Sequence, residues 1–125
     1  MDKNDLIKRT KKFAVEIIKL VRYLEKNCGS VGRILGTGQL LRSGTGVYSN
    51  YRAACRCKSA KDFISKMGTV VEEADETLGW LELLVAAGVV ELSLVENLLK
   101  EADEITAIMT ASRNTSIKNH PGKLN

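Results

Sequence analysis

The chain has 125 residues, one proline and 5% aromatic residues, which suits one helical domain with a buried core and disfavours a β-sandwich or barrel. Its formal net charge is +4, and no apolar run approaches the roughly 20 residues that cross a bilayer. The N-terminal segment lacks the apolar core of a secretion signal, so we expect a cytoplasmic protein with no membrane partner.

The first half of the chain predicts two helices, because its apolar residues recur at three- and four-residue steps. Asn4 or Asp5 is the predicted N-cap of the first helix, which is expected to end near Asn27. Ser30 is the predicted N-cap of the second helix, which runs over about residues 31–57.

Four glycines interrupt this second helix, and each costs roughly 1 kcal/mol relative to alanine in a helix interior. They are Gly36, Gly38, Gly44 and Gly46. They predict either a kink near the start of the helix or close approach by a neighbouring helix.

The second half of the chain predicts two more helices. Ser59 is the predicted N-cap of the third helix, and Gly88 ends it. Ser93 and Glu96 have the spacing of a capping box, which is expected to open the fourth helix.

Short connections between four helices favour an all-α, antiparallel up-down-up-down bundle. The helical period is lost after Ser112. We therefore assign residues 1–113 to the four-helix bundle and residues 114–125 to a flexible polar tail.

Polar residues interrupt the apolar stripes of the two middle helices. If the hairpin turns near residues 58–59, Arg42 and Ser43 lie level with Glu73 and Glu76. We predict a structural polar network of Arg42, Ser43, Asn50, Glu73 and Glu76, with Arg42 bridging to Glu73 or Glu76 in a partly buried ion pair. The alternative is that these charges are solvated on outer helix faces.

The middle of the chain also resembles a known family. The run QLLRSGTGVYSNYRAA, followed by DFISKM, EEADET and WLELL, is similar to the small four-helix bundle proteins first named for intervening sequences of bacterial 23S ribosomal RNA genes. The resemblance extends from Phe13 to about Leu99. Its R-x-x-x-S-x-x-x-N pattern corresponds here to Arg42, Gly46 and Asn50, so glycine replaces the usual serine.

The resemblance implies a non-enzymatic helical bundle that assembles as a homopentameric ring. Relatives in this group include the accessory variability determinant of diversity-generating retroelements, which binds a reverse transcriptase and nucleic acid. An RNA or DNA ligand, with RNA favoured, and a reverse transcriptase or other protein partner are therefore the expected partners.

Charge is unevenly distributed along the chain. Residues 1–12 carry a net +3, residues 51–66 a net +4 and residues 105–125 a net +3, whereas residues 67–104 carry a net −9. In an antiparallel bundle the three basic segments meet at one end, where they could bind a nucleic-acid backbone. The predicted contacts are Arg52, Arg56, Lys58, Lys61, Lys8, Lys12 and Arg113.

Two hypotheses from different classes remain open. One is a nucleic-acid-binding accessory protein, and the other is a structural or protein-interaction ring without a nucleic-acid ligand, in which the charges serve assembly or are merely solvated.

The third helix has an apolar arc wider than one bundle core needs, so Trp80 and Leu84 are the predicted oligomer interface, although Trp80 could equally be a core residue.

Catalytic and metal-binding patterns are missing from the sequence. The only histidine, His120, lies in the predicted tail, which leaves no Ser-His or Cys-His pair on a rigid element. Cys55 and Cys57 are two residues apart and would point in different directions on a helix, so they are expected to be thiols that do not share a metal. We expect no enzyme, no cofactor and no metal site.

Overall fold

The computed structural model describes residues 1–122, and this part of the chain contains helices and no strands. The helices are α1 (Lys3–Asn27), α2 (Gly29–Leu35), α3 (Leu41–Cys55), α4 (Ala60–Ala86) and α5 (Leu92–Asn119). A π-helical segment, Gly36–Leu40, joins α2 to α3 without a break, so the two act as one rod. The predicted all-α fold of four helical rods is thus confirmed.

Three helix starts differ from the prediction: those of α1 and α5, and that of α2, whose N-cap is Cys28 and not Ser30. Asp2, and not Asn4 or Asp5, is the N-cap of α1, because Asp2 and Asp5 form a reciprocal capping box in which each side chain accepts the other's backbone N–H. The predicted capping box of Ser93 and Glu96 is wrong, since α5 already begins at Leu92.

The predicted cap of α4 is confirmed. Ser59 has an extended backbone, and its Oγ accepts a hydrogen bond of 3.1 Å from the N–H of Asp62. This bond satisfies one of the free donors at the start of the helix.

The connection between α1 and α2 is a single residue, Cys28, followed by Gly29 with φ of +67°. Glycine adopts this left-handed conformation without steric cost, which allows the chain to reverse at once. The second rod consequently begins at Gly29, slightly before the predicted start near residue 31.

Of the two explanations offered for the glycines in the second rod, close approach by a neighbouring helix holds at Gly44, and the start of the rod changes its helix type. The π-helical segment contains Gly36 and Gly38, and α-helical hydrogen bonding is interrupted there. Gly44 lies against α1, where a Cβ would come within 2.7 Å of Ile17 Cγ2. The absence of a side chain at Gly44 therefore fixes how closely α1 packs on α3.

The core runs along the interior of all the helical rods. Its largest fully buried side chains are Phe13, Ile17, Leu24, Leu40, Ile64, Met67, Leu81, Leu84, Ile105, Met109, Val47 and Val70. None of the helices in the described part combines the length and the apolar character that crossing a membrane requires.

The last helix is longer than predicted. α5 continues to Asn119, past the boundary at residue 113 that the sequence indicated. Residues 114–119 are therefore a helical extension of the bundle and not a tail without structure. Residues 123–125 of the predicted tail, including Lys123, lie outside the described part of the chain.

Candidate nucleic-acid interface

One end of the bundle gathers four separate parts of the chain around a pocket of about 520 Å³. Lys3 of α1, Lys58 in the α3–α4 connection, Ala60 of α4 and Ser116 of α5 all line it. The start of α1, the end of α3, the start of α4 and the end of α5 thus lie together. This end of the molecule is called the basic end below.

Most of the predicted contacts at the basic end are available to a ligand. Arg52, Arg56, Lys58, Lys61 and Lys8 are exposed, and none of them forms an ion pair within residues 1–122. The guanidinium of Arg52 lies 5.6 Å from the ring centroid of Tyr48, a cation–π contact that holds the charge close to the helix surface.

Two predicted contacts have other positions. Arg113 is half-buried, and its Nε donates a hydrogen bond of 3.0 Å to the carbonyl of Ile64. The guanidinium lies over Gly68, where an added Cβ would come within 3.3 Å of Nε. Arg113 therefore ties α5 to α4. Lys12 lines a groove between α1 and α5 together with Glu16 and Glu101, so it belongs to the flank of the bundle and not to the basic end.

The acidic segment is partly neutralised by a cation that the sequence reasoning missed. Arg9 of α1 contacts Glu101 of α5 at 2.6 Å and Glu104 at 3.7 Å. The hydrogen bond with Glu101 raises the pKa of the Arg9 guanidinium. This ion pair closes the α1–α5 side of the bundle, and no pattern in the sequence specified the pairing.

The predicted ion bridge between the second rod and α4 is present. Arg42 contacts Glu73 at 3.5 Å and also pairs with Glu76, whose Oε1 accepts a hydrogen bond of 3.4 Å from Trp80 Nε1. Burial raises the pKa of Glu73, and the nearby Arg42 opposes that rise. The side chain of Glu73 is 16% exposed and covers Gly46, where a Cβ would lie 3.1 Å from its carboxyl carbon.

Behind this bridge lies a buried hydroxyl pair. Ser43 Oγ accepts a hydrogen bond of 2.9 Å from Thr77 Oγ1, and both side chains are fully buried. Thr77 was not predicted. Asn50, which was predicted to join the network, instead donates to the carbonyl of Gly46 within its own helix, at 2.9 Å.

The predicted oligomer interface also needs correction. Leu84 is 0% exposed and belongs to the core of a single chain, so it cannot contact another subunit. Trp80 is half-buried, whereas its neighbour Leu83 is 49% exposed. Helical periodicity alone could not decide which of two adjacent leucines faces inward.

The floor of the pocket at the basic end is aromatic and apolar. Tyr51, Leu6 and the half-buried Phe63 line it. Burial, and secondarily the neighbouring Cys55, raises the pKa of the Tyr51 hydroxyl, so the phenol is neutral at physiological pH. Tyr51 is only 4% exposed, so little of its ring is open to the pocket.

The sequence reasoning missed the contribution of α5 to this pocket. Ser112, Ser116 and His120 line one wall, and a ring nitrogen of His120 lies 2.8 Å from the carbonyl of Ser116. These three residues continue the steps of four and three that begin at Ile105 and Met109. The small polar side chains concealed a helical period that a search for apolar residues alone does not detect.

Within residues 1–122, no group of three or more His, Cys, Asp or Glu is placed to hold a metal ion. Cys28, Cys55 and Cys57 are free and half-buried.

Fold and site together define a class, a small antiparallel helical bundle with a cluster of exposed basic residues at one end. The chain belongs to the family of 23S rRNA-intervening sequence proteins, whose model matches residues 2–111. This confirms the resemblance seen in the sequence. The chain is also similar to a protein of unknown function from the S23 ribosomal protein family of Bacteroides thetaiotaomicron, seen in a crystal structure. The identity is 30% and the TM-score is 0.80, and the match covers 86% of this chain and 96% of that one. No curated protein matches the chain.

Proposed function

We propose that this protein is a non-enzymatic, homo-oligomeric accessory protein whose basic end binds nucleic acid, preferentially RNA, and presents it to a nucleic-acid enzyme such as a reverse transcriptase. The observation that carries the proposal is the gathering of exposed, unpaired cations from α1, α3 and the α3–α4 connection at one end of the bundle. Such a surface binds phosphates by releasing their counterions, and it needs no catalytic group.

Assembly multiplies this effect. In a ring, and a homopentamer is the stoichiometry we favour, the basic ends would face the same side and their fields would add. The modest net charge of +4 on one chain would then understate the charge that a nucleic acid meets.

The test is binding of a fluorescent single-stranded RNA, followed by anisotropy across a salt series. We expect log K to fall linearly with log salt concentration. Replacing Arg56, Lys58 and Lys61 by Gln removes three cations from the basic end and should reduce the magnitude of that slope by about 2, since each lost phosphate contact contributes roughly 0.7 for single strands.

A matched control removes the same charge from the opposite end. Arg22, Lys26 and Arg33 are exposed and lie near the α1–α2 connection. Their replacement by Gln should leave the slope unchanged. Equal effects of both triple variants would mean that overall charge and not the basic end attracts the ligand. An absence of binding at low salt would instead favour a ring that contacts only protein.

A further inference from the structure

The pocket at the basic end has properties that phosphate binding alone does not require. Its volume of about 520 Å³ falls within the roughly 300–1,000 Å³ of small-molecule sites. A surface that only neutralises a phosphate backbone can be convex and featureless. Here Lys3 and Lys58 line an open pocket with an apolar floor.

We propose that this pocket receives one unpaired nucleotide of the bound strand, so that the basic end prefers single-stranded to duplex nucleic acid. This inference rests on the proposed function and names the part of the ligand that the site would take.

The lining matches the two halves of a nucleotide. The half-buried Phe63 provides the aromatic surface on which a base can pack, and the nearly buried Leu6 and Tyr51 complete the apolar floor around it. Lys3 and Lys58 line the same pocket and can meet the attached phosphate.

Polar groups on the walls suit the edge of a base. Ser59 and Ser112 present hydroxyls, which can donate to or accept from base nitrogens and carbonyls, and His120 presents Nε2, since its Nδ1 donates to the Ser116 carbonyl. The hydroxyl of Ser59 accepts a bond from the Asp62 N–H, and its own proton remains free to donate.

The surroundings favour a strand and not an isolated metabolite. Arg56 follows Cys55 directly, and Lys61 follows Ala60, and both are exposed immediately beside pocket residues. Their charges are therefore available to phosphates of a strand that continues beyond the inserted nucleotide. A base held in a duplex is stacked and paired on both sides, so it could enter only after being unpaired.

A substitution that fills the pocket tests whether an unpaired nucleotide enters it. Ser116 lines the pocket, and Ser116→Phe would occupy it without altering any charge. Thr115→Phe is the matched control, because Thr115 is exposed on the same turn of α5 and does not line the pocket. Circular dichroism and thermal melting establish that each variant is folded.

Anisotropy is then measured with a single-stranded oligonucleotide and with a duplex of the same length at low salt. We expect wild type and Thr115→Phe to bind the single strand about tenfold more tightly than the duplex, which is the order of one stacked base. Ser116→Phe should lose this preference and retain duplex binding.

A second measurement uses wild-type protein alone and does not depend on the variant folding. A single strand carrying 2-aminopurine is bound, and the fluorescent base should become shielded from acrylamide, an aqueous quencher. If both nucleic acids bind while the base stays fully accessible, or while Ser116→Phe retains the wild-type preference, the pocket inference is wrong and the proposed function stands. If neither binds at low salt, the proposed function itself fails.

Discussion

At the scale of single residues, Gly44 determines the spacing between α1 and α3. An added Cβ would lie 2.7 Å and 2.8 Å from two carbons of Ile17, which is itself fully buried. Gly44→Ala should therefore lower the free energy of unfolding by about 1–3 kcal/mol, as overpacked cores do, despite the better helix propensity of alanine. Urea unfolding followed by circular dichroism measures this change.

Gly79 is the matched control for that experiment. It lies inside α4, is exposed and has nothing within 4 Å of an added Cβ. Gly79→Ala should raise stability by up to about 1 kcal/mol through helix propensity. If the two substitutions changed stability in the same direction, contact with Ile17 would not be what requires glycine at Gly44.

Glu73 should produce a distinctive pH dependence. Because burial raises its pKa in the folded chain, the folded state takes up the proton at a higher pH than the unfolded state does. The contribution of Glu73 to stability should therefore rise as the pH falls from neutrality through the folded pKa, and the rise is complete below the ordinary value of 4.5.

Comparison with Glu73→Gln isolates this contribution from other carboxylates, including Glu72 and Glu76, which lie nearby. Denaturant unfolding of both proteins is measured at several pH values. The stability of wild type minus that of Glu73→Gln should increase toward acid pH. A difference that decreases toward acid would mean that the pair with Arg42, and not burial, dominates the titration.

At the scale of helices, the Arg42 bridge connects the second rod to α4. Because Arg42 is 52% exposed and Glu76 is 37% exposed, the coupling should be modest, about 0.3–1 kcal/mol in a double-mutant cycle with alanine. The exposed Lys19–Glu16 pair within α1 is the comparison, and its coupling should be closer to zero. Indistinguishable couplings would show that the bridge does not hold the two rods in register.

The end of α5 offers a second test at this scale. Backbone N–H groups of residues 115–119 lie within the helix, so hydrogen exchange there should be slower than in an unstructured segment. Mass spectrometry of a peptide covering these residues measures the rate, with residues 105–109 of the same helix as the protected reference. Exchange at the intrinsic rate would mean that these residues form the flexible tail that the sequence indicated.

Helical periodicity predicted four rods because each buries a continuous apolar stripe. It could not predict the π-helical segment Gly36–Leu40, since glycine permits either a kink or a close approach. It also missed the last turns of α5, where Ser112 and Ser116 take the inward positions. The apolar pattern predicts a helix where that helix buries apolar side chains, and it fails to predict one where the helix lines a pocket with polar side chains.

At the scale of the whole molecule, the antiparallel order of the rods explains how distant segments form one basic end. The sequence indicated this grouping because the three basic segments fall at helix ends that an antiparallel bundle brings to the same side. It could not show that Arg113 would donate a hydrogen bond to Ile64, that Arg9 would pair with Glu101, or that an open pocket lies at this end. These features depend on rotamers and on helix offsets that spacing does not encode.

Assembly and nucleic-acid binding should be coupled. Leu83 is 49% exposed beside Trp80 on α4, so Leu83→Glu should leave the core intact and disrupt the subunit interface that we propose on that face. Val15→Glu is the control, because Val15 is 42% exposed on α1. Light scattering should show smaller particles for Leu83→Glu only.

RNA binding by Leu83→Glu should also have a shallower salt slope, because a protomer contacts fewer phosphates than a ring. A dissociated variant with the wild-type slope would mean that each protomer binds RNA alone.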